Sequence, residues 1–221
     1  MSKKAIIVGA SGLIGSALLA ILLNDSEYSE VLAMVRTPLN NSHPKFNQIA
    51  VDFDKLDDYA HQITGDAIFC ALGSTKRKTP DLNIYRKIDH DYPLKLAEVA
   101  VANGVNQFHL ISSLGANKNS LNFYTKMKGE TEADIKAVGL YSLVIYRPSL
   151  LTGDRKEHRF AEGLMQGLSK LVNPLLIGGL KKYRSIEANT VAKAMDNLSH
   201  TELKGIYVYE SDEISEAGLI Y

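Results

Sequence analysis

The sequence predicts an α/β protein: a doubly wound parallel sheet carrying a small C-terminal lobe. Three observations predict it. The apolar run Ala5-Ile6-Ile7-Val8 opens directly into a GxxGxxG turn at Gly9, Gly12 and Gly15. Short runs rich in Val, Ile and Leu then alternate with helical patterns, as buried strands covered on both faces require. No repeat or low-complexity stretch interrupts the alternation.

The elements follow in order. After the first strand, Ser16 to Leu23 is an apolar helical run. Val31–Val35 reads as a second buried strand ending at Arg36, closed by Thr37-Pro38 and followed by a loop from Leu39 to Pro44. Gln48–Asp52 is a short third strand, with a polar helical turn around Lys55–Gln62. Asp66–Leu72 is a fourth strand stopping at Gly73, and a loop then carries Thr75 to Asp81. A helix is expected over Asn83–Asn103, broken before Pro93 and stopped by Gly104. Phe108–Ile111 is the fifth strand, Leu121–Val138 a helix ending at Gly139, and Leu143–Tyr146 a sixth strand terminated by Arg147-Pro148. Beyond it the pattern loosens into a helix around Phe160–Leu171, a loop, a helix over Ala188–Leu198 and a last strand at Gly205–Tyr209. Residues 1–148 are therefore read as a nucleotide-binding domain and 149–221 as a lid or substrate lobe packed on the same sheet.

Right-handed crossovers place every strand's carboxyl end on one edge, where ligands of such sheets lie. Gly9–Gly15, Arg36, Asp52, Leu72–Gly73, Ser113 and Arg147–Pro148 all fall on that edge. Glycine lets main-chain N–H groups approach a pyrophosphate, and the following helix presents its positive end to the same anion. The residues Gly9, Ala10, Ser11, Gly12, Leu13, Ile14 and Gly15 are accordingly assigned to a dinucleotide. A competing reading exists, because Lys3-Lys4 precede an uncharged stretch from Ala5 to Leu23 that outlines a signal peptide or a membrane span. Turn-spaced glycines, β-branched residues before them and Leu/Ala after them favour the strand–turn–helix.

Composition narrows the function. Charges balance at a formal net of 0, so neither nucleic acid nor an anionic membrane is an expected partner. The cluster Lys76-Arg77-Lys78 is read as a solvated loop. One cysteine, Cys70, excludes an internal disulfide and fits a reducing compartment, so a cytoplasmic location is expected. It lies in an apolar strand and is read as core filler. The 6 histidines show no paired ligand spacing, and no metal site is expected.

Chemistry enters with Tyr124-Thr125-Lys126-Met127-Lys128. Tyr124 and Lys128 share a helix face. A phenol titrating near ~10 is a poor acid–base group at neutral pH, and a neighbouring ammonium favours its phenolate. Tyr124 could then move a proton to or from a substrate oxygen while Lys128 also holds a ribose. Ser113, at a strand end brought beside this helix, could donate to the reacting oxygen; Ser112 points to the opposite face.

With these residues in place the chain resembles the short-chain dehydrogenase/reductases, through GASGLIG, the Ser113, Tyr124 and Lys128 set, and Arg147-Pro148 as in the extended and atypical branches. Asp89-His90-Asp91-Tyr92, Ile111–Ala116, Tyr124–Glu130 and Asp154-Arg155 are similar to the Tat-interacting, oxidoreductase-like atypical subgroup, which is also epimerase/dehydratase-like. The resemblance implies an NADP-binding Rossmann domain with a shortened C-terminal lobe. It implies contacts of Asp52 and Phe53 with the adenine edge and of Leu72 and Gly73 with the cofactor's middle. The asparagine that ordinary members carry on the helix before the fifth strand has no clear counterpart.

Arg36 discriminates between the two nicotinamides. An acidic residue at the end of the second strand would bind the ribose 2′-OH, whereas an arginine accommodates a 2′-phosphate. Val31–Pro38 holds no Asp or Glu, so NADP(H) is expected over NAD(H), with Arg36 and Thr37 at the phosphate. The expected function is an NADP(H)-dependent oxidoreductase or epimerase-like enzyme acting on a carbonyl or alcohol, with Arg155 a weaker substrate contact. The alternative is an NADP(H) sensor acting through protein partners. Specificity is expected in the loops 74–81, 117–122 and 150–183. The helices over 83–103 and 121–138 offer faces through which two copies could pair as a homodimer.

Overall fold

The computed structural model describes residues 2–153 and 173–219. Its strands are β1 (Lys3–Val8), β2 (Tyr28–Val35), β3 (Phe46–Ala50), β4 (Ala67–Cys70), β5 (Gln107–Ile111), β6 (Ser142–Arg147), β7 (Leu151–Thr152), β8 (Ile186–Glu187) and β9 (Gly205–Glu210). Seven of them form one parallel sheet in the order β3-β2-β1-β4-β5-β6-β9, and β7 pairs with β8 in a separate small ladder. Strand order therefore reverses between β1 and β4, which opens a crevice at their carboxyl ends.

Both faces of the sheet are covered, and the pleat of each strand divides its side chains between two cores. Ile7, Phe69 and Val144 lie in one with α1 (Leu13–Asn24). Ile6, Ile68 and Leu143 lie in the other, with Phe53 and Leu56 of the 3₁₀ segment Phe53–Gln62. The helices on this second side are α2 (Leu82–Arg86), α3 (Tyr92–Ala102) and α4 (Phe123–Ala137). On the first side α5 (Ala188–Ser199) and α6 (Ser211–Ala217) join α1, contributing Val191, Met195 and Ile214. The Ala5–Leu23 stretch is thus a central strand, a turn and a core helix. No helix among the described residues is long and apolar enough to cross a membrane.

Several boundaries differ from expectation for local reasons. Strand β2 begins at Tyr28 because that ring is fully buried and its hydroxyl donates to Ser199 Oγ at 2.8 Å. Helix α4 begins at Phe123 because Asn122 Oδ1 accepts the N–H groups of Tyr124 and Thr125 at 2.9 and 3.3 Å. The expected break before Pro93 is a π-turn over Lys87–Asp91, which keeps α2 and α3 continuous. Helix α6 was not anticipated, although Glu213 accepts the Glu210 N–H at 2.7 Å in a capping arrangement its sequence encodes. The helix expected at 160–171 and the residue Arg155 lie outside the described residues.

An aromatic ladder crosses the α1 side of the sheet. Tyr28 meets Phe69 edge-on, Phe69 stacks on His109 with centroids 4.7 Å apart, and His109 and Tyr209 both stack on Tyr146. His109 is fully buried, with Nδ1 2.9 Å from the Tyr146 hydroxyl. Burial, followed by the field of His200, lowers its pKa to about 3. The unfolded chain takes up this proton first, so the contribution of His109 to stability is present above its ordinary pKa of 6.5 and is lost as pH falls towards 3. The expected loss is on the order of 3–5 kcal/mol over that window. Denaturation midpoints followed from pH 7 to pH 4 should show a steeper acid decline in the unaltered chain than in His109→Gln; equal slopes would sink the assignment.

A second ionic group sits where α1, β2 and α5 meet. His200 Nε2 lies 2.9 Å from Asp25 and 3.8 Å from Asp196, while Nδ1 lies 3.2 Å from Glu27. Asp25, Asp196 and His200 bring ligand-type atoms within 4.8 Å of one another. Asp196 and His200 stand four apart at the end of α5, and Asp25 joins them from the end of α1; here the imidazole itself sits between the carboxylates. Burial and then Asp25 raise the Asp196 carboxyl to about 6, which works in the opposite sense to His109. Its stabilising contribution is complete below the ordinary value of 3.8 and is lost as pH rises through 6.

Candidate functional site

The glycine turn is built by close backbone approach. Gly9 adopts φ +85°, and an added Cβ there would meet the Ala71 carbonyl oxygen at 2.5 Å. Gly15 packs α1 onto the turn so tightly that a Cβ would lie 2.1 Å from the Gly9 carbonyl oxygen. The N-cap of α1 is Gly12, which supplies no side-chain acceptor, and the first turn carries no acidic residue. Its leading N–H groups are thus left for an external anion.

Beside this turn lies a crevice of about 270 Å³. Gly9, Ala10, Ser11 and Gly12 form one wall, Arg36 and Thr37 the end of β2, Phe53 the far side, and Leu72 and Gly73 the end of β4. None of its lining residues is acidic, and Arg36 is the only charged one. Sequence reasoning missed Met34, Val35, Pro38, Leu39, Ala71, Ile88 and Tyr92, which complete the lining. Tyr92 packs against Phe53 with centroids 5.5 Å apart and donates to Asp54 Oδ1 at 2.9 Å. The free N–H groups, the lone arginine and this apolar slot fit a dinucleotide.

Other assigned residues stand apart from the lining. Leu13, Ile14 and Gly15 lie behind the turn, with Ile14 and Gly15 buried in its packing. Asp52 is exposed and caps the 3₁₀ segment by accepting the Asp54 N–H at 3.1 Å. Arg147 corrects the expectation of a cation offered to the cofactor: its Nε and Nη2 donate to the two oxygens of the buried Glu132 at 2.9 and 2.6 Å. Ser112 Oγ donates to the same carboxylate at 2.6 Å, so the end of β5, the end of β6 and the middle of α4 are tied together. Pro148 is buried, and its carbonyl accepts the Leu114 N–H at 2.9 Å.

The Tyr–Lys pair occupies the start of α4. Tyr124 is at the rim, 36% exposed, while Lys128 one turn later is 4% exposed. Ser113 is half-buried, with its hydroxyl donating to the Leu114 carbonyl at 3.3 Å. Beneath them is a residue for which sequence reasoning found no role. Asp89, 1% exposed, faces Lys128 Nζ at 2.9 Å. Burial opposes the charge of Lys128, but Asp89 and then Tyr124 outweigh it and hold the ammonium above its ordinary pKa. Cys70 is buried close by, where burial pushes its thiol up to about 11 and keeps it inert.

Comparisons with known proteins agree with this geometry. A family described as NAD(P)H-binding matches residues 9–170. Protein HTATIP2 of Rattus norvegicus is 40% identical over 167 residues, covering 74% of this chain and 69% of its own. Protein fmp52, mitochondrial, of Aspergillus niger is 33% identical over 206 residues, covering 90% and 88%. Among solved structures, a UDP-N-acetylglucosamine 4-epimerase from Methanobrevibacter ruminantium in complex with UDP-N-acetylmuramic acid superposes with a TM-score of 0.71 at 19% identity, covering 95% of this chain and 76% of that one. At that identity the likeness is one of fold.

The relatives overturn one expectation, the cytoplasmic location. A protein matched over 90% of this chain is named as mitochondrial, and a lone reduced thiol reports redox conditions without carrying an address. The parallel sheet, the glycine turn at its switch point and these matches together make the chain a member of the NAD(P)H-binding family and a homologue of protein HTATIP2.

Proposed function

We propose that the protein is an NADP(H)-dependent oxidoreductase of the atypical short-chain dehydrogenase type, acting on a carbonyl or alcohol. The observation that carries this reading is the buried, charged Lys128 within electrostatic reach of Tyr124, on the same sheet edge as the glycine turn. The cofactor, when bound, supplies or accepts the hydride. Tyr124 gives or takes the proton at the substrate oxygen, Ser113 donates a hydrogen bond to that oxygen, and Lys128 anchors the ribose. The turn residues bind the pyrophosphate and the wall formed by the packed rings of Phe53 and Tyr92 takes the adenine side. The names of the fungal relatives favour action in mitochondria.

NADP(H) is favoured over NAD(H) because Arg36 stands exposed at the end of β2 in a crevice without a carboxylate. Calorimetric titration of Arg36→Ala should therefore show NADPH affinity falling by about 10- to 100-fold, the range expected for one lost charge-assisted phosphate contact, with NADH affinity changed far less. Equal losses for both would refute the preference. A broad carbonyl screen without turnover, alongside a protein partner bound only in the presence of NADPH, would instead establish a sensor.

A further inference from the structure

The buried ion pair beneath the Tyr–Lys face has a role that neither the glycine turn nor the crevice explains. Asp89 reaches this position because of the π-turn at Lys87–Asp91. Pro93 has no N–H to offer the carbonyl four residues back, which is that of Asp89. Thr131 Oγ1 shares its proton between the Met127 carbonyl at 2.9 Å and this carbonyl at 3.2 Å, which brings the turn against α4. The Asp89 side chain then spans two partners: Oδ1 faces Lys128 Nζ at 2.9 Å, and Oδ2 accepts the Ser74 N–H at 2.7 Å. Ser74 opens the loop after β4, and its carbonyl accepts the Tyr85 hydroxyl at 3.2 Å.

We propose that Asp89 is the positioning residue of this site, keeping Lys128 protonated in a dry pocket, fixing its direction and tying it to the loop at Ser74. An isolated lysine removed from water sheds its proton, because burial disfavours the charged form. The groups acting on Lys128 from the surrounding elements are the Cys70 thiol on β4, the phenol of Tyr124 on α4 itself, and Asp89. Cys70 is held protonated by burial, so Asp89 is the ready-made anion among them. It approaches Nζ as an ion-pair partner at 2.9 Å, which leaves N–H donors of the ammonium for a ribose and for Tyr124. The purpose of the device rests on the proposed role of Lys128 as cofactor anchor; its test does not.

The test is lysine-selective nuclear magnetic resonance on the full chain, with the Lys128 side-chain signals assigned by their loss in Lys128→Arg. In the unaltered protein Lys128 should stay charged across pH 6–10, and in Asp89→Asn it should titrate at least about 2 pH units below the surface lysines. Asn retains an acceptor for the Ser74 N–H, so the loop anchor survives while the charge is removed. Titration of Lys128 with the surface lysines in Asp89→Asn would overturn the proposal. Should that variant fail to fold, the unaltered protein decides alone: a Lys128 signal that stays that of the ammonium across pH 6–10 supports the proposal, and a midpoint below those of the surface lysines overturns it. Binding supplies a separate readout: NADPH affinity should fall with rising pH in Asp89→Asn and stay level in the unaltered protein. Failure of the unaltered protein to bind NADPH would refute the proposed function while leaving the resonance result to decide the role of Asp89.

Discussion

Tyr124→Phe should lower NADPH-dependent carbonyl reduction by about 100- to 10,000-fold, the span that a positioned acid–base group contributes. Cofactor affinity should change little, because Tyr124 lies outside the crevice lining. Stability should also hold to within about 0.5 kcal/mol, since the ring is 36% exposed and loss of its hydroxyl leaves little unmatched in the interior. Turnover followed by nicotinamide absorbance, beside a denaturation midpoint and an NADPH titration, separates the three quantities. A variant that retains full turnover would remove Tyr124 from the chemistry.

Gly15→Ala should be the most disruptive substitution in the turn. An added methyl would sit 2.1 Å from the Gly9 carbonyl oxygen and 2.8 Å from its carbon, and neither atom belongs to a flexible side chain. The only relief is to lift α1 from the turn, which disturbs the layer containing Leu18, Leu22 and Val191. A cost of about 3 kcal/mol is expected, together with loss of measurable NADPH binding, because the same shift moves the helix N–H groups away from the anion. Gly12→Ala is the matched control: its methyl would meet the Gly9 oxygen at 3.2 Å, a contact that a small adjustment relieves. Similar denaturation midpoints for the two variants would show that the approach of helix to turn is looser than these distances indicate.

The glycine turn and the strand-end arginine that line the crevice were legible in the sequence because they are local. Strand, glycine spacing and helix occupy consecutive residues, and Arg36 follows its strand directly. Tyr124 and Lys128 were legible for the same reason, being one helical turn apart. What escaped reading joins residues distant in the chain. Asp89 meets Lys128 across 39 positions and depends on a π-turn that Pro93 produces. Arg147, conspicuous after its strand, turns to Glu132 because a buried carboxylate demands a bidentate partner more strongly than the open edge does. Tyr92, which enters the crevice, directly follows the same π-turn. His109 read as an ordinary strand residue, and only its place between Phe69 and Tyr146 shows that it must stay neutral.

The seventh strand has a consequence for synthesis. Strand β6 finds its outer neighbour only when Gly205–Glu210 arrive, pairing Ser142 with Gly205 and Arg147 with Glu210. Helix α5, which covers α1, is likewise made late. During translation residues 3–147 therefore carry an unpaired parallel edge and a bare apolar helix face until Ala188–Ser199 and Gly205–Glu210 have been made.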